Sequence, residues 1–185
     1  MKELTFITGN PYKAKYLSEY FHLPIAHRKL DLPEIQSLDL EEVVRDKVRR
    51  AYDILGTPVL VEDVSFTFHA LGKLPGPLIK WFMSSLGNEG MCKMLDGYDD
   101  RSAMISVMYA LCDESGIHIF EGSVVGEISP MPKGNSNFGF DPIFIPNGSS
   151  KTHAEMTPDE KHETSMRKPA MQKLSAYLKI KGYDS

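Results

Sequence analysis

Leu4-Thr5-Phe6-Ile7-Thr8-Gly9-Asn10-Pro11-Tyr12-Lys13 decides the fold class. Residues 4–8 are a short apolar run suited to a buried strand. Next come a glycine turn, Asn10 as a helix cap and Pro11 at the first helical position. A strand that feeds a helix through a tight turn opens an α/β layer arrangement. The helix carries Ala14, Leu17, Tyr20 and Phe21 on one face and stops before Pro24, and residues 25–32 read as a second strand.

Further along, residues 39–55 form an amphipathic helix with Leu40, Val43, Val44, Val48, Ala51, Tyr52 and Leu55 on one stripe. Residues 58–61 are a buried strand that ends at Glu62-Asp63. A Gly/Pro-rich turn at 72–77 precedes helical stretches at 78–86 and 90–95. Residues 101–112 and 117–128 are long strands joined through 113–116 as an antiparallel hairpin, and the first is apolar on both faces and therefore central. A loop at 129–137, a short strand at 142–145 and a closing amphipathic helix at 167–181 complete one domain over 1–185. The expected fold is an α/β arrangement: a mixed, twisted sheet flanked by helices.

The composition bounds the partners. A formal net charge of −4 excludes the strongly basic footprint of a nucleic-acid binder, so any polyanion must be held by local positive charge. No stretch approaches the roughly 18 apolar residues of a membrane span, and the first residues lack a signal-peptide core. Cys92 and Cys112 have neither metal-site nor disulfide spacing, which fits buried packing in a reducing cytosol. The chain is therefore expected to be cytoplasmic, with neither nucleic acid nor membrane as partner.

Four groups of residues carry chemistry. Thr8, Gly9, Asn10 and Lys13 combine free N–H groups at a helix start, a backbone that a phosphate can approach and a lysine in the first turn; an ordinary helix start has the same look. Lys47 falls inside the apolar stripe of its helix, so it either snorkels to the edge or borders a cleft and reaches an anion. Glu34, Glu62 and Asp63 form an acidic set, sparse enough to suit Mg²⁺, which takes one or two carboxylates plus substrate phosphates; solvated acids at a strand end are the other reading. Glu62 and Asp63 are neighbours on a strand, so their side chains diverge and do different jobs. Phe138-Gly139-Phe140-Asp141 places two rings and an acid around a glycine, a pattern for stacking a base or for plugging a core.

Taken together and in order, these segments resemble the inosine triphosphate pyrophosphatase family. The resembling stretches are Thr-Gly-Asn-x-x-Lys (8–13), Leu-Pro-Glu-Ile-Gln (32–36), Val-Glu-Asp (61–63), Ala-Leu-Gly-Lys-Leu-Pro-Gly-Pro-Leu-Ile-Lys-Trp-Phe (70–82), Phe-Gly-Phe-Asp-Pro (138–142), and Ala-Glu-Met (154–156) followed by Lys161 and Arg167. The resemblance implies two lobes with a nucleotide cleft between them, a homodimer, and Mg²⁺-dependent hydrolysis of ITP, dITP and XTP to monophosphate and pyrophosphate. It implies that Glu34 and Asp63 hold Mg²⁺, with Asp63 also the base for the attacking water and Glu62 in support. Lys13 and Lys47, with the 8–13 backbone, clamp the triphosphate. Residues 138–141, Lys161 and Arg167 surround the base, with Lys80 nearby.

Two positions leave the family pattern. Met166 stands where Ser-His-Arg is usual before the last helix, and Val64 follows the acid pair where a hydroxyl residue is usual. Both substitutions bear on substrate contacts rather than on Glu34, Asp63, Lys13 or Lys47. The competing readings are a related nucleotide pyrophosphatase of shifted or broad base specificity, and a nucleotide-binding module that does not hydrolyse its ligand. The intact Glu34–Asp63 pair separates the enzyme from the module, since a binder has no need of a base.

Overall fold

The computed structural model describes residues 3–23, 25–136 and 138–183. Pro24, expected just beyond the first helix, and Asn137, the last residue of the expected 129–137 loop, lie outside them, as do the four residues at 1–2 and 184–185. The opening runs β1 (Thr5–Ile7), α1 (Pro11–Phe21), β2 (Ala26–Arg28), α2 (Leu40–Leu55) and β3 (Val59–Phe68). After a 3₁₀ turn at His69–Leu71 come β4 (Pro75–Gly76), α3 (Ile79–Lys93), β5 (Ser102–Asp113), β6 (Gly116–Ile128), β7 (Phe144–Pro146), α4 (Pro158–Glu163) and α5 (Arg167–Ile180).

Among the described residues seven strands form one sheet, in the order β2-β1-β3-β5-β6-β7, with β4 also paired to β3. β1 lies parallel to both β2 and β3, while β4 and β7 run antiparallel to β3 and β6. β5 and β6 are neighbours joined by two residues, a connection only antiparallel strands can make. The mixed sheet with helices is the fold the sequence led us to expect, and β5 is central and almost wholly buried, as its apolar run required.

Four local expectations need correction. β2 pairs over three residues rather than across 25–32, because its partner β1 is itself three residues long. β3 does not end at the acid pair but continues through it to Phe68, so Asp63 is a mid-strand residue. The 72–77 turn contains the short strand β4. The helix α4, unforeseen, starts on a capping box in which Thr157 and Glu160 satisfy each other's backbone N–H groups, with Pro158 at the first turn. By contrast, the two helical stretches expected at 78–86 and 90–95 are real: α3 is broken at Gly87, whose φ of 63° with ψ of −178° is essentially a glycine-only conformation.

The chain forms two compact units. Unit 1 comprises Met1–Asp63, Val107–Glu121 and Pro169–Ser185; unit 2 comprises Val64–Ser106 and Gly122–Lys168. In unit 1, α2 is started by Asp39, whose carboxylate accepts from the N–H groups of Glu41 and Glu42, and it buries Leu40, Val44, Val48 and Ala51 against Ile7, Val59, Val61, Ala110 and Cys112. The residues that β3 and β5 give to that cluster alternate, Val59 with Val61 and Ala110 with Cys112, so α2 covers a single face of the sheet. Cys112 is thus a packing residue, and burial raises its thiol pKa. In unit 2, Phe66 packs edge-on against Phe68 and Phe144, with ring centroids 5.0 and 5.7 Å away.

Candidate active site

In unit 1 the site grows from the register of β1 on β3. Thr5 is level with Val59 and Phe6 with Leu60, so β1 runs out just before the level of Glu62. The chain then turns through Thr8, Gly9 and Asn10, with Thr8 Oγ1 accepting from the Asn10 N–H at 3.1 Å, and enters α1. Thr8 N–H in turn donates to the Arg28 carbonyl at 3.1 Å, which ties the turn to the end of β2. The turn therefore lies at the carboxyl end of a parallel strand, the usual ligand position in open α/β sheets. Gly9 has neither a left-handed φ nor close backbone around it: a Cβ there would meet only the Lys29 side chain, at 3.6 Å or more. The fold itself therefore does not demand glycine at this position.

Glu62 and Asp63 point to opposite faces of β3, and each meets a lysine from a different helix. Lys13 Nζ donates to Glu62 Oε1 at 3.0 Å, and the Glu62 side chain is only 3% exposed. Lys47 Nζ donates to Asp63 Oδ2 at 3.1 Å and to Glu34 Oε1 at 3.0 Å. Asp63 shares its face with Val59 and Val61 under α2, so α1, which brings Lys13 to Glu62, lies on the other face. Lys47 does sit in the apolar stripe of α2, between buried Val43, Val44, Val48 and Ala51, and its ammonium ends on two carboxylates rather than in open solvent. Burial pulls its pKa down, but Asp63 and Glu34 outweigh burial and leave it raised. The group is electrostatically unbalanced: two ammonium groups face three carboxylates.

The donor set fits a hard divalent cation. Two carboxylates that bond one ammonium already converge on a single cationic point, and both retain access to solvent. Among the described residues no group of three or more His, Cys, Asp and Glu residues is arranged to hold a metal by itself. Any ion at Glu34 and Asp63 needs further oxygens from elsewhere, which is the Mg²⁺ habit of completing its shell with water and phosphate.

Unit 2 gathers the second set. Lys161, on α4, bonds the buried carboxylate of Asp141 and stands 5.2 Å from the centroid of the Phe138 ring. The two phenylalanines divide the readings left open by the sequence. Phe140 is half-buried and packs on the buried Phe66 with ring centroids 4.7 Å apart, whereas Phe138 is 59% exposed and available for stacking. Gly139 is held through its carbonyl by Asn88 Nδ2 at 3.1 Å. Asn88 is a residue that sequence reasoning missed: it directly follows the Gly87 break in α3, and nothing local in the sequence links it to residue 139. Arg167 opens α5 with its N–H bonded to Ser165 Oγ at 3.2 Å, and Met166 beside it is buried. Val64 is half-buried on β3. Lys80 is exposed, with its ammonium 5.7 Å from the ring centroid of its neighbour Trp81.

Comparison with known proteins places the chain in a family. The model of the Ham1 family matches residues 4–177. Inosine triphosphate pyrophosphatase 2 of Trypanosoma cruzi (strain CL Brener) is 40% identical, over 95% of this chain and 92% of its own. The inosine triphosphate pyrophosphatase of Mycosarcoma maydis is 41% identical, over 95% and 94%. A HAM1 protein from Coxiella burnetii superimposes with a TM-score of 0.86 at 28% identity, covering 97% of this chain and all of that one. The strand-turn-helix with its paired lysines and acids, the aromatic loop and the nearly full-length match lead to one conclusion: this chain belongs to the Ham1 family.

Proposed function

We propose that this protein hydrolyses inosine and xanthosine triphosphates and their deoxy forms between the α and β phosphorus, releasing nucleoside monophosphate and pyrophosphate. The observation that carries the reading is the meeting of Glu34, Lys47 and Asp63 beside the Lys13–Glu62 pair, at the carboxyl end of β1. The relatives named as inosine triphosphate pyrophosphatases give the substrate class.

In this reading Glu34 and Asp63 hold Mg²⁺, which when bound offsets phosphate charge that two already paired lysines cannot offset alone. Lys13 and Lys47 exchange part of their carboxylate bonding for phosphate oxygens, and the free N–H groups at the start of α1 add further donors. Thr8, Gly9 and Asn10 let the phosphates approach the backbone. Asp63 takes the proton from the attacking water as its oxygen bonds to the α phosphorus. The bond from that phosphorus to the bridging oxygen breaks, and the electron pair leaves with pyrophosphate. Glu62, on the other face of β3, keeps Lys13 in place.

Base recognition falls to unit 2. Phe138 offers its exposed ring to the base, Phe140 anchors the loop, and Asp141 fixes Lys161 beside Phe138. Arg167 donates to the 6-oxo group that hypoxanthine and xanthine share and adenine lacks. Val64, Lys80 and Met166 complete the proposed substrate contacts. Homodimer formation and cytoplasmic residence come with the family resemblance and belong to the same proposal; no helix among the described residues is long and apolar enough to cross a membrane. Pyrophosphate release from ITP, dITP, XTP, GTP, ATP and dTTP, with Mg²⁺ and in excess EDTA, tests the whole reading. Mg²⁺-dependent turnover of ITP, dITP and XTP, well above that of GTP, ATP and dTTP, is expected. Asp63→Asn should abolish turnover while the protein stays folded; near-normal turnover in that variant would place the base elsewhere.

A further inference from the structure

Lys13 and Lys47 are each committed to carboxylates, and the five charged groups together carry a net negative charge. A triphosphate is a polyanion, so even with a divalent ion added the group is barely positive. A third cation lies beside the same turn. β2 ends at Arg28, whose carbonyl accepts from the Thr8 N–H at 3.1 Å, and the next residue, Lys29, leaves the sheet alongside Gly9. Lys29 Cγ, Cδ and Cε lie 3.6–3.8 Å from the point where a Gly9 Cβ would stand, so the aliphatic stem runs along the glycine backbone. The residue is exposed, and it makes no ion pair or hydrogen bond among the described residues.

We propose that Lys29 is a further triphosphate-binding residue, placed by its stem over Gly9 so that its ammonium reaches anions held at the 8–13 turn. The proposal rests on the phosphate-site reading given above. Lys29 differs from Lys13 and Lys47 in a way that matters energetically. It gives up no carboxylate when the nucleotide arrives, so its attraction is not offset by breaking an existing pair. It is also solvated, so its contribution is modest and sensitive to salt.

The test is steady-state kinetics with ITP and Mg²⁺ for Lys29→Ala, Lys29→Glu and Lys29→Arg, at low and high salt, with melting temperatures alongside. For an exposed charge, Lys29→Ala should raise KM about three- to ten-fold at low salt, with kcat within about two-fold and the melting temperature unchanged. Lys29→Glu should raise KM further, Lys29→Arg should restore it, and high salt should shrink every difference. Inhibition by inorganic pyrophosphate should weaken in parallel, while the ITP-to-ATP preference stays as it was, because the contact is to phosphate and not to base. Unchanged KM in both Lys29→Ala and Lys29→Glu at low salt, with Lys13→Ala and Lys47→Ala impaired, overturns the role of Lys29 alone. If none of the three lysines affects KM, the phosphate-site reading fails and this proposal falls with it.

Discussion

Replacing Lys47 by methionine keeps the apolar stem within the stripe of α2 and removes only the ammonium. In the native protein that ammonium bonds Asp63 at 3.1 Å and Glu34 at 3.0 Å, with side-chain exposures of 18% for Lys47, 25% for Asp63 and 51% for Glu34. A hydrogen bond to a charged group contributes about 1.5–3 kcal/mol, and the half-exposed Glu34 adds little, so the loss should be about 2 kcal/mol and come mostly from Asp63. For a chain of this length that corresponds to a melting temperature lower by about 4–8 °C. Without the lysine, two carboxylates face each other with no cation between them, so the gap between native and variant should be fully present at neutral pH. The native pair also has an alkaline limit: because the Lys47 pKa is raised, its contribution holds below the ordinary lysine range and fades as pH climbs through the raised value. Thermal unfolding in EDTA at neutral pH and through an alkaline series measures the gap. In kinetics, removing a partly buried charge partner costs about 2–5 kcal/mol, so kcat/KM for ITP should fall roughly thirty-fold or more. A gap that stays the same size as pH climbs through the raised Lys47 value, or unchanged kinetics, would show that Lys47 acts through its stem alone and would refute this reasoning.

Two further outcomes are expected. Gly9→Ala meets only a flexible lysine side chain, so it should leave the melting temperature unchanged while raising KM for ITP; an unaffected KM would mean that no phosphate comes close to this backbone. Arg167→Ala should lower kcat/KM for ITP more than for ATP, since only a 6-oxo base pairs the lost donor; an equal loss for both would make Arg167 a phosphate or fold residue.

The parts of the fold with a strong period are legible in the sequence. α2 has an unbroken apolar stripe and a capping aspartate, and β5 is apolar on both faces; each lies within a residue or two of its expected span. β3 was cut short because Glu62-Asp63 looks like the end of an apolar run. A buried strand tolerates those charges only because a lysine meets each of them, and those lysines are 49 and 16 residues away in sequence. α4 was missed because none of its residues is buried, so it has no stripe, although its Thr157-Pro158-Asp159-Glu160 start was readable as a capping box. The acidic and basic site residues were named from their types and order. What the sequence could not show was their pairing: which lysine joins which acid, that Phe140 packs on Phe66 while Phe138 is exposed, and that Asn88 holds residue 139 across 51 positions.

The way the chain is threaded bears on how such a protein can evolve. It passes between the two units at Asp63/Val64, Ser106/Val107, Glu121/Gly122 and Lys168/Pro169. The first three passages fall inside β3, β5 and β6, and the fourth inside α5, so none occurs in a loop. Ordinary domain boundaries lie in exposed linkers, where a single recombination event can graft one module onto another. Here the half proposed to recognise the base can be exchanged only by four crossovers, each cutting a hydrogen-bonded strand or helix. A lineage with this architecture therefore alters that half one residue at a time.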